Sequence, residues 1–141
     1  MDDAGSARAV LVEVQTAFRD GNYARMAELY DDDIDWLFHA PVSVFPETGH
    51  RRGKIAVFLA FEALNRLYRF DSYETEQVLA EGDRAAGIAN VTLTQRSSGR
   101  VIQVRVAGFH RVRDGRIVEY RGFVDSFDAV EQALGRIVGV E

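Results

Sequence analysis

The chain has 141 residues and no cysteine, and its 17 Lys and Arg residues against 22 Asp and Glu residues give a net charge of −5. With 47% hydrophobic and 28% charged residues it has the composition of one globular domain, and the lack of cysteine excludes a disulfide scaffold, a zinc ribbon and a cysteine nucleophile. The acidic balance argues against a general nucleic-acid binder, because phosphate binding requires a basic face.

The sequence shows neither a membrane span nor a targeting segment. No stretch approaches the roughly 20 consecutive apolar residues that cross a bilayer. Residues 1–6 lack the basic and apolar regions of a signal peptide. We therefore expect a cytoplasmic protein that does not bind membranes.

Two helices are predicted at the start of the chain. Apolar residues recur at three- and four-residue spacing over residues 7–19, which indicates a helix with one apolar face. Ser6 is suited to cap the start of this helix. A polar and glycine-containing cluster ends it, and a second helix is predicted over residues 23–30. The chain is thus expected to open with a helical hairpin.

A strand and an irregular segment follow the hairpin. Residues 34–38 are rich in aromatic and branched side chains, which favours a strand. Pro41 and Pro46 restrict the next stretch to a sheet edge or an irregular crossing, and residues 49–53 are predicted to form a loop. The strongest helical pattern of the chain comes next, over residues 54–68, and its broad apolar face predicts packing across a sheet.

The second half of the chain changes to a two-residue period, which indicates strands. Four strands are predicted over residues 73–79, 85–95, 100–112 and 116–124, and a short closing helix over about 127–134. The connections are short, so neighbouring strands are antiparallel. Residues 1–141 are therefore predicted to form a single α+β domain with its core over about 7–134. Its architecture is a cone of curved, mostly antiparallel sheet wrapped around the long helix.

Small residues on the predicted strands leave two interpretations of the interior of this cone. These residues are Gly87, Ala89, Ala107, Gly108 and Gly122. They indicate either bulges that bend the sheet or the wall of a cavity that holds a ligand.

Short motifs along nearly the whole chain stand in a characteristic order. They are residues 18–22 (FRDGN), 29–33 (LYDDD), Gly49 with 52–54 (RGK), 82–84 (GDR), 112–119 (VRDGRIVE) and Asp125. In this order the chain resembles the SnoaL-like, ketosteroid-isomerase-like branch of the nuclear transport factor 2-like superfamily. The resemblance implies a small apolar or cyclic organic ligand in the cone. It also implies a homodimer through the open face of the sheet, with Gln103 and Arg105 as interface residues.

The same resemblance implies a choice of activities, because this fold carries isomerases, cyclases, dehydratases, epoxide hydrolases and non-catalytic modules. Ketosteroid isomerases hold their base as Asp in an Asp-Pro step, and the aligned step here is Ala40-Pro41. Their two oxyanion-hole positions align with Val14 and Gly108.

Two ionisable residues are candidate acid–base groups. His39 lies in apolar company, where an imidazole can transfer protons near neutral pH. The alternative is a strand histidine bonded to a backbone carbonyl. Asp125 resembles the acid–base Asp of polyketide cyclases, and the alternative is an N-cap for the closing helix. In the functional interpretation, the two are the working pair of an isomerase, cyclase or dehydratase.

Aromatic residues and one more histidine are candidates for lining the pocket: Trp36, Phe58, Phe61, Tyr120 and His110. The alternatives are ordinary core packing for the aromatic residues and a strand-end position for the histidine. No nucleotide-binding glycine motif is present, and the carboxylates over residues 31–35 lack the spacing of a calcium loop. We therefore expect neither a cofactor nor a metal. Two functions stay open: a cofactor-independent enzyme, or a non-catalytic ligand-binding or protein-interaction module.

Overall fold

Six strands form a single mixed and curved sheet in the computed structural model, which describes residues 5–139. The strands are, in chain order, β1 (Tyr30–His39), β2 (Gly49–Arg52), β3 (Tyr68–Glu81), β4 (Arg84–Gln95), β5 (Val101–Arg113) and β6 (Arg116–Val124). They lie in the order β2-β1-β6-β5-β4-β3. Every neighbouring pair is antiparallel except β1 and β6, which run parallel.

Four helices accompany the sheet in the described part of the chain. They are α1 (Ala7–Arg19), α2 (Tyr23–Leu29), α3 (Lys54–Leu67) and α4 (Ser126–Leu134). The first two form the N-terminal hairpin, and α1 packs on β3, β4 and β5, while α3 packs on β1 and β3. The predicted α+β cone with a mostly antiparallel sheet is confirmed.

The helix ends follow from local hydrogen bonding. The Ser6 hydroxyl oxygen accepts from the backbone N–H of Ala9 at 3.1 Å, as its predicted capping role requires. The Asn22 side chain accepts from the backbone N–H of Arg25 at 3.1 Å and starts α2 in the same way. At the end of α4, Gly135 takes a φ of 71°, the left-handed conformation that glycine adopts without strain.

The third strand is longer than predicted. It begins at Tyr68, directly after α3, rather than at Tyr73. Its pairing with β4 shifts register after Phe70 and again after Thr75. Each shift interrupts the alternation of inward and outward side chains, so the first half of β3 lacks the two-residue period by which strands are recognised.

The segment predicted as a loop at residues 49–53 is instead largely a strand. It forms β2, which pairs antiparallel with β1 from Phe38 opposite Gly49 to Asp35 opposite Arg52. This short edge strand carries polar and charged side chains, so no apolar pattern marks it. Its pairing with β1 decides its conformation.

The core consists of two groups of buried side chains. The larger group joins α1, α2 and α3 to the inner face of the sheet, and its fully buried members include Val10, Leu11, Met26, Ile34, Val57 and Ile117. The smaller group contains Phe45, Tyr68, Ile102, Ala129 and Ala133 and includes the buried face of α4. No helix within residues 5–139 is long and apolar enough to cross a membrane.

A row of three glycines crosses the middle of the sheet. Gly87 of β4 lies opposite Gly108 of β5, which in turn lies opposite Gly122 of β6. None of the register shifts in the sheet falls at these residues. The glycines are therefore not bulges, and they leave the inner face of the sheet without side chains along this row.

The room above Gly108 and Gly122 is taken mainly by Tyr120 and Phe38, and the room above Gly87 is taken by Gln15 of α1. A Cβ added to Gly122 would lie 2.5 Å from Phe38 Cδ2 and closer still to the Tyr120 hydroxyl oxygen. A Cβ added to Gly108 would lie 3.0 Å from Tyr120 Cε1 and 3.2 Å from His110 Cε1. The glycines thus allow these rings to lie directly on the sheet.

We predict that Gly122→Ala lowers the free energy of unfolding by about 1–3 kcal/mol, because the added methyl group must displace Tyr120 and Phe38. Gly5→Ala is the matched control, since a Cβ there meets its nearest neighbour, Gly115 Cα, at an ordinary 3.6 Å. Urea unfolding of both variants and the wild type measures the difference. Equal stability of the two variants would contradict the role given to the glycine row.

Candidate ligand site

A cavity of about 210 Å³ lies between the inner face of the sheet and the helices. Side chains of α1, α2, α3 and α4 and of strands β1, β3, β4, β5 and β6 contribute to its wall. Gly87, Ala89 and Gly108 are part of the wall, so the small residues make room for the cavity. Members of both core groups also line it, which places the cavity within the hydrophobic interior.

Four of the five residues predicted to line the pocket do so: Trp36, Phe61, His110 and Tyr120. Phe58 does not line it. Its ring packs in the larger core group, with ring centroids 6.0 Å from Tyr30 and 5.7 Å from Phe61. On α3 the residues that reach the cavity are Ala60, Phe61 and Leu64.

The two predicted acid–base residues lie away from the cavity wall. His39 is exposed and stacks on Phe123 with ring centroids 4.5 Å apart. Strand alternation turns Trp36 and Phe38 inward, so His39 takes the opposite, outer face. Asp125 is exposed and its carboxylate accepts from the backbone N–H of Asp128 at 3.1 Å, which is the alternative capping role. Neither residue joins the polar groups of the cavity.

Glu47 brings a carboxylate to the cavity wall. It lies in the segment between β1 and β2, where the backbone N–H of Phe45 donates to the Pro41 carbonyl at 2.8 Å. The Thr48 hydroxyl donates to the Phe45 carbonyl at 2.7 Å. These bonds fold the segment back, so that Phe45, Glu47 and Thr48 all line the cavity.

The Glu47 carboxyl group is buried and incompletely hydrogen-bonded. The residue is 6% exposed, and its Oε2 atom has no hydrogen-bond partner among residues 5–139. Burial raises the pKa of Glu47, although its own backbone N–H and the charge of Arg51 act in the opposite direction. Burial, with a smaller contribution from the Glu47 charge, raises the pKa of Tyr68 to about 12.

A second polar group of the cavity combines His110 with tyrosines. His110 is 8% exposed, and its Nδ1 atom has no hydrogen-bond partner in the described part of the chain. Burial lowers the pKa of His110 to about 4, although the backbone of Ala85 and Gly108 acts to raise it. The imidazole is therefore neutral at pH 7. Its ring centroid lies 4.9 Å from that of Tyr120.

The phenol groups of Tyr30, Tyr73 and Tyr120, which line the cavity, also remain neutral. Burial raises the pKa of Tyr120 well above its ordinary value, and it raises the pKa of Tyr73 to about 12. Burial likewise raises the pKa of Tyr30. Phenols and a neutral imidazole offer hydrogen bonds without carrying charge into the cavity.

Glu47 is not among the site residues predicted from the sequence, although the sequence contains one indication that it is buried. The acid stands between Pro46 and Thr48 as the one charged residue of a stretch that includes Val44 and Phe45, residues 40–49. A lone acid in such surroundings indicates burial. The direction of the Glu47 side chain, however, depends on the turn that begins at Pro41. A turn of this kind has no periodic sequence pattern.

A charged cluster holds the outer face of the sheet together. The Asp35 carboxylate lies 2.6 Å from His50 Nε2 and accepts from Arg121 at 2.9 Å, and Arg52 lies within 3.4 Å. The hydrogen bonds from His50 and then from Arg121 lower the pKa of Asp35. The cluster links β1, β2 and β6 on the side opposite the cavity. Within residues 5–139, no group of three or more His, Asp or Glu side chains is arranged to hold a metal ion.

Comparisons with known proteins agree with this architecture. A family model described as a SnoaL-like domain matches residues 11–120. The structure of a protein from Rhodopseudomonas palustris described as a "Putative Isomerase" shares 34% identity and a TM-score of 0.82, covering 96% of this chain and 100% of that one. No curated protein sequence matches significantly.

Two more distant solved structures share the fold. An NTF2-like protein from Burkholderia thailandensis has 24% identity and a TM-score of 0.78, covering 92% of this chain and 97% of that chain. An LEH-like epoxide hydrolase from M. tuberculosis has 18% identity and a TM-score of 0.70, covering 92% and 90%.

We predict that His110 makes the protein less stable in acid. Unfolding returns its pKa from about 4 to about 6.5, so between these pH values the unfolded chain binds a proton that the folded chain does not. Stability is therefore lost as the pH falls through this window, by on the order of 3 kcal/mol. In His110→Phe this loss should be absent. Urea unfolding at pH 7 and pH 4 measures it, with His39→Phe as the control for removing a histidine. The same pH dependence in His110→Phe as in the wild type would contradict the prediction.

Proposed function

The chain belongs to the SnoaL-like domain family, and on that premise we propose that it binds a small, largely apolar organic molecule in its cavity and transfers a proton on that molecule. Glu47 is the proposed acid–base residue, and no cofactor takes part. The reaction class is an isomerisation, cyclisation or dehydration. The cytoplasmic location and the absence of nucleic-acid and membrane partners, both expected from the sequence, stay predictions.

The buried Glu47 carboxylate is the observation that carries this proposal. A carboxylate that has lost water and keeps an unpartnered oxygen is a stronger base than one in solvent. Glu47 is also part of the wall of the cavity in which an apolar ligand would bind. Surrounding it with apolar side chains brings its pKa nearer to neutral pH, where general acid–base catalysis is efficient.

The position of Glu47 in the fold adds support. Ala40, which aligns with the Asp of ketosteroid isomerases, lines the cavity but has no acid–base group. The Thr48 hydroxyl, which donates to the Phe45 carbonyl at 2.7 Å, lies 3.4 Å from the Ala40 carbonyl oxygen, so Glu47 is next to Ala40 on the same wall. The Rhodopseudomonas palustris relative, described as a "Putative Isomerase", favours the same class of reaction. Because His39 and Asp125 lie away from the cavity, we assign the proton transfer to Glu47 instead.

Proton exchange on ring ketones tests this assignment. In D₂O, the wild type should accelerate deuterium incorporation next to the carbonyl of cyclohexanone or cyclohex-2-enone, followed by ¹H NMR. Glu47→Gln keeps the shape of the side chain and removes its basicity, so we expect the rate to fall by about 100-fold or more. The control is Glu62→Gln, an exposed site on α3, which should leave the rate unchanged. Equal rates for the wild type and Glu47→Gln would contradict the proposal.

Binding without catalysis is the second candidate. The largely apolar wall of the cavity favours it, since an apolar cavity binds ligands without any chemical step. Ring ketones that raise the melting temperature but show no accelerated exchange would support this function over the enzymatic one.

We also propose that the protein is a homodimer formed through the outer face of the sheet. Phe109 and Phe123 lie there in edge-to-face contact, with centroids 5.9 Å apart, and are 54% and 41% exposed. Exposed aromatic side chains of this kind favour an interface. Arg105, predicted to lie at the interface, pairs with Glu76 at 2.9 Å. The Gln103 backbone is already bonded to α4 through Gln132.

Phe109→Lys tests the dimer, because burying the new charge between two copies is costly. Light scattering coupled to size-exclusion chromatography should give twice the 15.8 kDa chain mass for the wild type and the single mass for the variant. Ile55→Lys on α3 is the control, since Ile55 is 80% exposed and lies away from the sheet face. A wild-type protein with the mass of one chain would refute the dimer.

A further inference from the structure

We propose that α4 is a lid that opens and closes over the cavity, and that the Gln132 side chain is the clamp that holds it closed. The inference goes beyond the proposed function, since it concerns how a molecule reaches the cavity rather than what happens to the molecule there. Three observations lead to it: the place of α4 on the cavity wall, the small side chains by which it packs, and the hydrogen bonds between Gln132 and β5.

The helix α4 closes part of the cavity. Ala129 of α4 lines the cavity, as does Val124, the last residue of β6 before this helix. Ala129 packs in the smaller core group with Phe45 and Ile102, which also belong to the cavity wall. Phe45 is 8% exposed and Ile102 is 2% exposed. Movement of α4 away from the sheet would therefore open this end of the cavity to solvent.

The contact between α4 and the sheet is made by small side chains. The buried residues of α4 are Ala129 and Ala133, and Val130 is half-buried. The larger apolar residues of the helix point outward, with Phe127 58% exposed and Leu134 39% exposed. The free energy gained on burial grows with the apolar area. Packing therefore holds α4 less firmly than α1, whose buried residues include a leucine and two valines.

The Gln132 side chain takes the place of a neighbouring strand on β5. β6 pairs with β5 only from Val124 opposite Val106, so in the described part of the chain residues 101–105 have no strand on that side. There the Gln103 backbone N–H donates to Gln132 Oε1 at 2.7 Å, and Gln132 Nε2 donates to the Gln103 carbonyl at 2.9 Å. One side-chain amide thus satisfies both backbone groups of Gln103.

This clamp can break without unfolding the rest of the domain. Both of its hydrogen bonds are exposed to solvent, so water can replace them when α4 moves. Arg100 adds a longer bond, from its Nη1 atom to the Ala133 carbonyl at 3.3 Å. Segments with little buried apolar area and solvent-exposed hydrogen bonds open locally at a low free energy. These are the properties of α4, and they make it the lid.

A single introduced thiol can measure the opening of α4, because the chain has no cysteine of its own. Ile102→Cys places the thiol on the cavity wall, in the core group that α4 covers. Labelling by methyl methanethiosulfonate, a small neutral reagent, is followed by mass spectrometry and requires the thiol to be accessible. Val57→Cys is the matched control, since Val57 is fully buried on α3 and lies outside the cavity wall. Its labelling reports the unfolding of the whole domain.

Gln132→Ala removes the clamp and introduces a residue that favours helix. We expect it to accelerate labelling of the Ile102→Cys thiol by about tenfold or more, as the loss of two hydrogen bonds allows. Labelling of the Val57→Cys thiol should stay within about twofold, because the opening is local. Phe127→Ala shortens an exposed side chain of the same helix and should leave both rates unchanged.

Hydrogen exchange of the wild-type chain tests the lid without any substitution, and so remains informative if Ile102→Cys fails to fold. The Gln103 amide donates to Gln132, so it should exchange at the same rate as the amides of α4. Both should exchange about tenfold faster, or more, than the amides of α1. Amides of Gln103 and α4 that are as well protected as those of α1 would overturn the proposal.

The labelling outcomes separate the clamp, the lid and the proposed function. Equal labelling of the Ile102→Cys thiol with and without Gln132→Ala would overturn the clamp. An equal acceleration at both thiols would overturn the lid, because it would indicate unfolding of the whole domain. The exchange assay on Glu47 is independent of these measurements. A protein that opens at α4 but does not exchange protons would keep this inference and lose the proposed enzymatic function.

Discussion

The close approach of Tyr120 and Phe38 to a sheet that lacks side chains is the constraint on which the rest of the structure depends. Three glycines stand side by side on β4, β5 and β6, and no register shift falls at them. Any larger residue at Gly122 would occupy the space of these two rings. The sheet curves around the helices, and a cavity remains between its inner face and the side chains of α1 and α3.

Burial in this cavity shifts the pKa values of two polar groups in opposite directions, for the same physical reason. Loss of water disfavours charge, so burial raises the pKa of Glu47 and lowers the pKa of His110. Both groups are thereby shifted toward their neutral forms, and each keeps one atom without a hydrogen-bond partner within residues 5–139. Leaving such atoms unpaired reduces stability. Functional sites are where proteins commonly tolerate that cost.

The two faces of the sheet have separate properties because side chains alternate along each strand. On β1, Trp36 and Phe38 line the cavity, while Asp35 joins the charged cluster with His50 and Arg121 on the outer face. Alternation also accounts for His39, which lies next to apolar residues in the sequence but next to Phe123 on the outer face in the structure. Apolar neighbours in the chain were therefore an unreliable guide to the cavity.

Elements with a local pattern could be predicted from the amino-acid sequence alone. Apolar periodicity identified α1 and α3, capping chemistry identified Ser6, and aromatic content made Trp36 and Tyr120 candidates for the wall that they line in the structure. The parallel pairing of β1 with β6 and the strand character of β2 could not be predicted in this way, because both depend on partners distant in the chain. The orientation of the Glu47 side chain could not be predicted from the sequence either. Its carboxylate reaches the cavity through a turn whose hydrogen bonds leave no periodic signal, and its chemistry arises from a burial that many distant residues create together.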